Sequence, residues 1–276
     1  MTGRQVETAC VLGVNVGVIS MSDALQEIES WITAGSQSYV CITGAHGLIE
    51  SQDDPVLRDI HNSAGLVTPD GMPLVWMSRA LGHKRTERVY GPDLMREMSA
   101  LSARRGYRQF YYGGGEGVAE RLSHTLTREY PGLEVAGCFC PPFRHLTAAE
   151  DEEAVNRINQ ARPDIVWVGL STPKQEYWMA SHLIRIKAPV MIGVGAAFDF
   201  LSGLKSQAPA WMQTRGLEWS YRLATEPKRL WRRYLTIVPR FIVLAGWQLL
   251  SARLLAQVSC RIKSGSDPTY NGKRSR

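Results

Sequence analysis

Apolar residues recur along this chain in two alternating rhythms. Short solid runs at residues 39–43, 66–68, 109–112, 133–136, 165–170 and 190–194 are rich in Val, Ile and aromatic side chains. Runs of that length and content predict strands buried on both faces. Segments of helical period stand between them. Ser20 or Ser22 is placed to cap a helix that carries Leu25, Ile28, Trp31 and Ile32 on one face and ends near Gly35. Residues 46–63 predict one or two helices, and residues 73–81, 118–130, 148–161 and 175–183 predict one each. Pro131-Gly132 stops the third of these stretches.

Apolar strands separated by helix-length spacers predict an α/β fold. Its sheet is mostly parallel with helices on both faces, Rossmann-like in outline. The rhythm changes after residue 204. From Pro227 the chain reads PKRLWRRYLTIVPRFIVLAGWQLLSARLLAQVSCRIK, with tryptophans and long aliphatic residues set among arginines. Its longest uncharged run is twelve residues, 241–252, short of the roughly 20 that a spanning helix needs. The expectation is a basic amphipathic helical appendage lying in a membrane interface, arginines on headgroups and aromatics at the acyl boundary. Packing on the body or on a neighbouring subunit is the alternative. Three stretches follow: a core at 1–204, an appendage at 205–262 and a frayed tail at 263–276.

Charge sharpens that division. The 276 residues carry a formal net charge of +6. Residues 205–276 hold 14 Lys/Arg against Glu218, Glu226 and Asp267, whereas residues 1–204 hold 18 basic and 23 acidic residues. An acidic body with a basic tail suits an anionic partner surface. A phospholipid surface is preferred to nucleic acid, because no glycine-aromatic RNA-binding motif accompanies the charge. With 44% hydrophobic and 21% charged residues the chain is neither disordered nor a membrane bundle. The first twenty residues show no signal-peptide pattern. Five scattered cysteines, of which Cys138 and Cys140 alone are close, fit a reduced cytoplasmic protein without structural zinc.

Candidate chemistry collects where strands end. Thr68-Pro69-Asp70-Gly71 puts a carboxylate at the carboxyl end of a buried strand, where open α/β sheets hold their ligands. Pro-Asp-Gly is equally a plain turn signal. Gly113 to Gly117 (GGGEG) follows a strand and opens a helix, a context in which backbone amides can face a phosphate. A tight turn with close helix packing explains the glycines as well, and the spacing is neither GxGxxG nor a Walker loop. Ser171-Thr172-Pro173-Lys174-Gln175 makes a helix start at another strand end. Gly193-Val194-Gly195-Ala196-Ala197-Phe198-Asp199 sets small residues and then a carboxylate, which either caps a helix or binds a ligand. Arg88 to Asp93 offers a further arginine and carboxylate. His46 is the one histidine just beyond a predicted strand. No Ser-His-Asp order, HExxH or DxD cluster is present, so neither a metal nor a cofactor is expected.

Taken in order, VTPDGMPLVW, RVYGPDLM, YYGGGEGVAERL, PDIVWVGLSTPKQEYWM, GVGAAFDFLSG and APAWMQTRGLEWSYRLATEPKRLWRRYL resemble the WecG/TagA/CpsF glycosyltransferase family of bacterial cell-surface polysaccharide synthesis. The resemblance spans roughly residues 10 to 245. It implies an inverting, metal-independent transfer from a UDP-sugar, of the glucose or N-acetylmannosamine type, to a polyprenyl-diphosphate-linked saccharide. It implies Asp70 as catalytic base and Gln175 and Arg88 at the donor site. The crevice around them would also draw on Thr43, His46, Gly114, Thr172 and Asp199. It implies further that Arg222, Arg229 and Arg232 or Arg233 meet the acceptor diphosphate, on the cytoplasmic face of the bacterial inner membrane. The family's Thr-x-Asn pair is Thr43-Gly44-Ala45 here, followed by His46, so glucose and N-acetylmannosamine both stay open. Homo-oligomerisation is compatible with this reading. The competing class is a non-catalytic nucleotide-binding module that docks on membrane or RNA through its tail. An epimerase or dehydrogenase is disfavoured by the missing GxGxxG.

Overall fold

The computed structural model describes residues 6–264, with side chains to residue 254; most of the expected frayed tail lies outside the described residues. The chain opens with strands β1 (Thr8–Val11) and β2 (Val14–Gly17). They form an antiparallel hairpin turned by Leu12 and Gly13, both at positive φ. Helix α1 (Met21–Ala34) follows, then β3 (Ser38–Thr43), α2 (Ala45–Asp53), α3 (Pro55–Ser63), β4 (Leu66–Pro69) and α4 (Met72–Ala80). Next come α5 (Gly91–Arg105), β5 (Arg108–Gly113), α6 (Val118–Glu129), β6 (Glu134–Phe139) and α7 (Ala148–Ala161). Strand β7 (Ile165–Gly169), α8 (Lys174–His182), β8 (Val190–Gly193) and the short α9 (Ala197–Leu201) complete the body. The chain then runs through α10 (Ala210–Thr214), α11 (Glu218–Thr225) and α12 (Pro227–Ser264).

Local signals set these limits. Ser20 is the cap of α1, its hydroxyl accepting from the Asp23 N–H while Asp23 reciprocates, and Gly35 closes the helix in the left-handed region. Asp54 ends α2 and caps α3 through the Leu57 N–H, with Pro55 in the first turn, so the predicted 46–63 stretch is two helices. The hairpin and α5 are additions to the sequence expectation. Helix α5 buries serines (Ser99, Ser102) beside Leu94, Met95 and Met98, which blurs its apolar stripe.

Strands β3 to β8 form one parallel sheet in the order β4-β3-β8-β7-β5-β6. Alternation along each strand feeds two cores. Val40, Ile42, Tyr111, Trp167 and Ile192 face α1, α5, α6 and α9. Tyr39, Cys41, Tyr112, Val168 and Met191 face α2, α4, α7, α8, the hairpin and α12. Chain direction diverges within the sheet, since β3 leads to β4 at one edge and β5 leads to β6 at the other. Crevices form over such divergences, beyond the carboxyl ends of the strands.

Helix α12 departs from expectation in length. It is continuous through Pro239, and its segment Pro227–Leu254 is long and apolar enough to cross a membrane by length and composition, with 17% of its most apolar stretch buried. The uncharged run understated it because Arg240 interrupts the run while its guanidinium is held by Asp53. The helix packs along the body: Leu230, Ile237, Phe241 and Ala245 are buried at helical spacing. Gln248 accepts from the Leu12 N–H at 2.9 Å and donates to the Cys10 carbonyl at 2.7 Å. The opposite face shows Trp231, Leu235, Ile242, Val243, Trp247, Leu250 and Leu254 to solvent.

Candidate active site

Asp70 stands one residue past β4, and its surroundings fix it from three sides. Its N–H donates to the Thr43 carbonyl at 3.1 Å, extending the β3–β4 ladder by one residue. Its Oδ1 accepts from the Gly91 N–H at 3.1 Å, and its own carbonyl accepts from Arg88 Nε at 2.7 Å. Oδ2 faces Gly44, 3.8 Å from where a Cβ would stand there. The turn is thus real, and it aims a carboxylate across the end of β3. Burial holds the Asp70 pKa above the ordinary aspartate value, with Asp93 adding to the rise. Arg88, the Gly91 hydrogen bond and Arg222 oppose it. A carboxylate with a raised pKa is a better proton acceptor.

Arg88 is a junction. Besides the Asp70 carbonyl, its Nη1 donates to Gln213 Oε1 at 2.8 Å and its Nη2 to Glu218 Oε2 at 2.7 Å. The guanidinium carbon lies 3.9 Å from the centre of the Tyr90 ring. Tyr90 in turn donates its hydroxyl to Glu218 Oε1 at 3.2 Å. Gln213 and Glu218 belong to the appendage, so α10 and α11 close against the Asp70 segment. Trp76 seals the same seam, its ring reaching within 2.6 Å of where Gly216 would carry a Cβ. Burial and then the charge of Asp70 push the Glu218 carboxyl above its usual range.

His46 lies in the first turn of α2, with Nε2 3.2 Å from Glu50. Burial, then Arg233 and Arg222, lower its pKa to about 4, so it is neutral at pH 7 and faces the appendage arginines. Those arginines form a like-charged group: desolvation, Arg229 and Arg222 all lower the Arg233 pKa. Arg222 Nε is buried without a hydrogen-bond partner, and Arg229 pairs with Glu226 at 2.7 Å. Arg232 departs from the group and rests over Trp231 at 5.2 Å.

The remaining sites named from sequence take more structural parts. The Thr43 hydroxyl is within 3.0 Å of His61 Nε2, a buried histidine that no motif marks. The Gly114 N–H donates to the Gly169 carbonyl at 3.0 Å, and a Cβ on Gly114 would crowd Phe198 and Val118 at 3.2 Å. Close packing therefore accounts for that glycine. Thr172 Oγ1 and Gln175 Nε2 both donate to Glu176 Oε1, at 2.9 and 3.1 Å. Gln175 Oε1 and Glu176 Oε2 stay buried and unpartnered beneath the ends of β7 and β8. Asp199 stands inside α9 rather than capping it, and pairs with Lys205 at 2.8 Å. Among the described residues, no group of three or more His, Cys, Asp or Glu side chains is placed to hold a metal ion.

One neighbourhood therefore gathers Asp70, Arg88 and His46 from strand and helix ends, with Arg222, Arg229 and Arg233 from the appendage. Known proteins share this chain's pattern. The N-acetylglucosaminyldiphosphoundecaprenol N-acetyl-beta-D-mannosaminyltransferase of Bacillus spizizenii is 31% identical over 193 residues, which is 70% of this chain and 72% of that protein. The protein of the same name from Staphylococcus aureus strain NCTC 8325 is 27% identical over 234 residues, covering 84% and 89%. The model of the glycosyl transferase WecG/TagA/CpsF family matches residues 9–254, and the chain belongs to that family.

Proposed function

We propose that this protein is an inverting glycosyltransferase that moves a sugar from a UDP-sugar to a polyprenyl-diphosphate-linked saccharide, with Asp70 as general base. The observation that carries the reading is the Asp70 carboxylate, fixed by Gly91, raised in pKa by burial and set beside an arginine group with unspent hydrogen-bonding capacity. An acceptor hydroxyl attacks the anomeric carbon opposite the leaving diphosphate, and Asp70 takes its proton as the new bond forms. Such a base contributes about 10²–10⁴-fold. Charge stabilisation supplies much of the rest, since guanidinium groups hold phosphate oxygens strongly in a partly dehydrated site.

The acceptor's diphosphate fits Arg222, Arg229 and Arg233, and its lipid tail explains the apolar outer face of α12. A lipid-linked substrate stays in the bilayer, so the enzyme sits on the cytoplasmic membrane surface, its tryptophan-rich helix in the interface. Both relatives described above are named for transfer of N-acetylmannosamine to a polyprenyl-diphosphate acceptor. With Ala45 and His46 where the family has its asparagine, UDP-N-acetylmannosamine and UDP-glucose are the two donors to compare.

Asp70→Asn tests the reading. It keeps the shape of the side chain and its acceptor for the Gly91 N–H, so UDP binding stays near wild type while released UDP falls to background. A variant that turns over near the wild-type rate removes Asp70 as the base.

A further inference from the structure

We propose that Glu218, carried by the appendage, is a positioning residue of the transfer reaction: it fixes the Arg88 guanidinium and, through it, the segment that aims Asp70. The geometry is specific. Both Glu218 carboxylate oxygens are used, Oε2 by Arg88 Nη2 at 2.7 Å and Oε1 by the Tyr90 hydroxyl at 3.2 Å. Arg88 spends its Nε on the Asp70 carbonyl, so one guanidinium joins the putting-in-place of the base to the appendage. The side chains of Arg88 and Glu218 are 15% and 21% exposed, so the pair is largely withdrawn from water.

A withdrawn ion pair is a poor way to glue a helix down, because desolvation offsets much of the attraction and an apolar contact does the same job more cheaply. What the pair supplies is direction. Arg88 delivers rigid, forked donors to three oxygens in one plane, a geometry a lysine or an apolar residue does not reproduce. Two of its five N–H groups are still free of these three bonds, so it can touch a donor phosphate while held.

Glu218 and Asp70 also share their electrostatic surroundings. The groups facing Asp70 are Arg88, Arg222 and Asp93, with the Gly91 N–H. Those facing Glu218 are Asp70, Arg88, Arg222 and Tyr90. Two carboxylates thus share the field of the same two arginines. Their repulsion falls on Glu218, whose carboxyl burial and then the charge of Asp70 hold above the usual range.

The inference rests on Asp70 as the base, and the test separates the two. Glu218→Gln, Glu218→Ala and Asp70→Asn are compared with the intact chain by UDP release from UDP-N-acetylmannosamine and UDP-glucose with a short-chain prenyl-diphosphate saccharide. Amide hydrogen exchange at Asp70 and Gly91 is measured alongside, without substrate. Glu218→Gln keeps the hydrogen bond to Arg88, so exchange stays near wild type and kcat recovers most of what Glu218→Ala loses. Glu218→Ala accelerates exchange at both amides and lowers kcat by about tenfold or more with little change in donor KM. Wild-type exchange and kcat in both Glu218 variants overturn the role. So does a loss of kcat that follows thermal stability while exchange at Asp70 and Gly91 stays at the wild-type rate. An active Asp70→Asn instead removes the base, and exchange at Asp70 and Gly91 in Glu218→Ala still judges the positioning.

Discussion

The outer face of α12 makes a quantitative prediction. Leu235, Ile242 and Leu250 are 67%, 64% and 58% exposed, although each is large and aliphatic. Fully burying such a side chain is worth about 1.5–3 kcal/mol, so about two-thirds of that is still to be gained, roughly 1–2 kcal/mol each. An interfacial helix sinks about 5–10 Å into the headgroup and acyl boundary, deep enough to cover all three. Replacing them together with glutamine therefore removes about 3–6 kcal/mol of binding, or about 10²–10⁴ in partition coefficient. Glutamine keeps good helix propensity, and all three positions are mostly exposed, so the thermal midpoint stays close to where it was. The assay is co-sedimentation with vesicles containing an anionic phospholipid, at low and at high salt. High salt weakens the arginine contribution and leaves the apolar one, so the difference between wild type and variant persists there. A partition within about fivefold of wild type at high salt refutes the interfacial reading. A loss of binding that comes with unfolding refutes the premise that this face is unpartnered.

Two further outcomes follow from the arginine group. Arg233→Ala raises the KM for lipid-linked acceptor and leaves UDP affinity unchanged, whereas Arg232→Ala, which removes a side chain resting on Trp231, weakens vesicle binding and spares the KM; steady-state kinetics with both substrates and a vesicle assay distinguish them, and equal effects of the two refute the assignment. His46 predicts a pH dependence: its folded pKa is lowered from 6.5 to about 4, chiefly by burial. Across that window the unfolded chain takes up a proton that the folded chain refuses, so stability is lost as pH falls. His46→Gln loses less thermal stability than wild type between pH 7 and pH 5; an identical loss refutes the argument.

Much of the fold was legible because strands buried on both faces leave solid apolar runs. Residues 165–170 and 190–194 needed no more than that, and Ser20 or Ser22 with Gly35 bracketed α1 by capping chemistry, the structure choosing Ser20. Two elements were hidden for physical reasons. The hairpin strands have four residues each, too few for a period to show. Helix α5 begins Gly-Pro and fills its buried face partly with serine, which bonds back to the helix, as Ser99 does to the Met95 carbonyl at 2.7 Å. In the site, Asp70 was legible from Pro-Asp-Gly at a strand end, and Arg88 as an arginine near it. Their partners were not. Glu218 lies 130 residues beyond Arg88 and Gln213 lies 125 beyond. No local pattern reports a pairing at that distance, and in a tail with 14 basic residues Glu218 read as one of three stray acids.

That misreading shows how the appendage works. Counted by charge, residues 205–276 are a basic strap, and a strap needs only to hold on. Placed by structure, α11 is an eight-residue helix with two opposite duties. Glu218 and Arg222 turn toward Asp70, while Trp219, partly exposed and 5.9 Å from the Tyr234 ring, turns outward with Trp211 and Trp231. A helix this short moves as a rigid piece. Whatever seats Trp219 at an interface also bears on the distance from Glu218 to Arg88. Whatever pulls Glu218 away loosens the carbonyl contact that holds Asp70. On the proposed function, contact with the surface that carries the acceptor and alignment of Asp70 are then one coordinate, and the carboxylate is best placed where the lipid-linked substrate would be met.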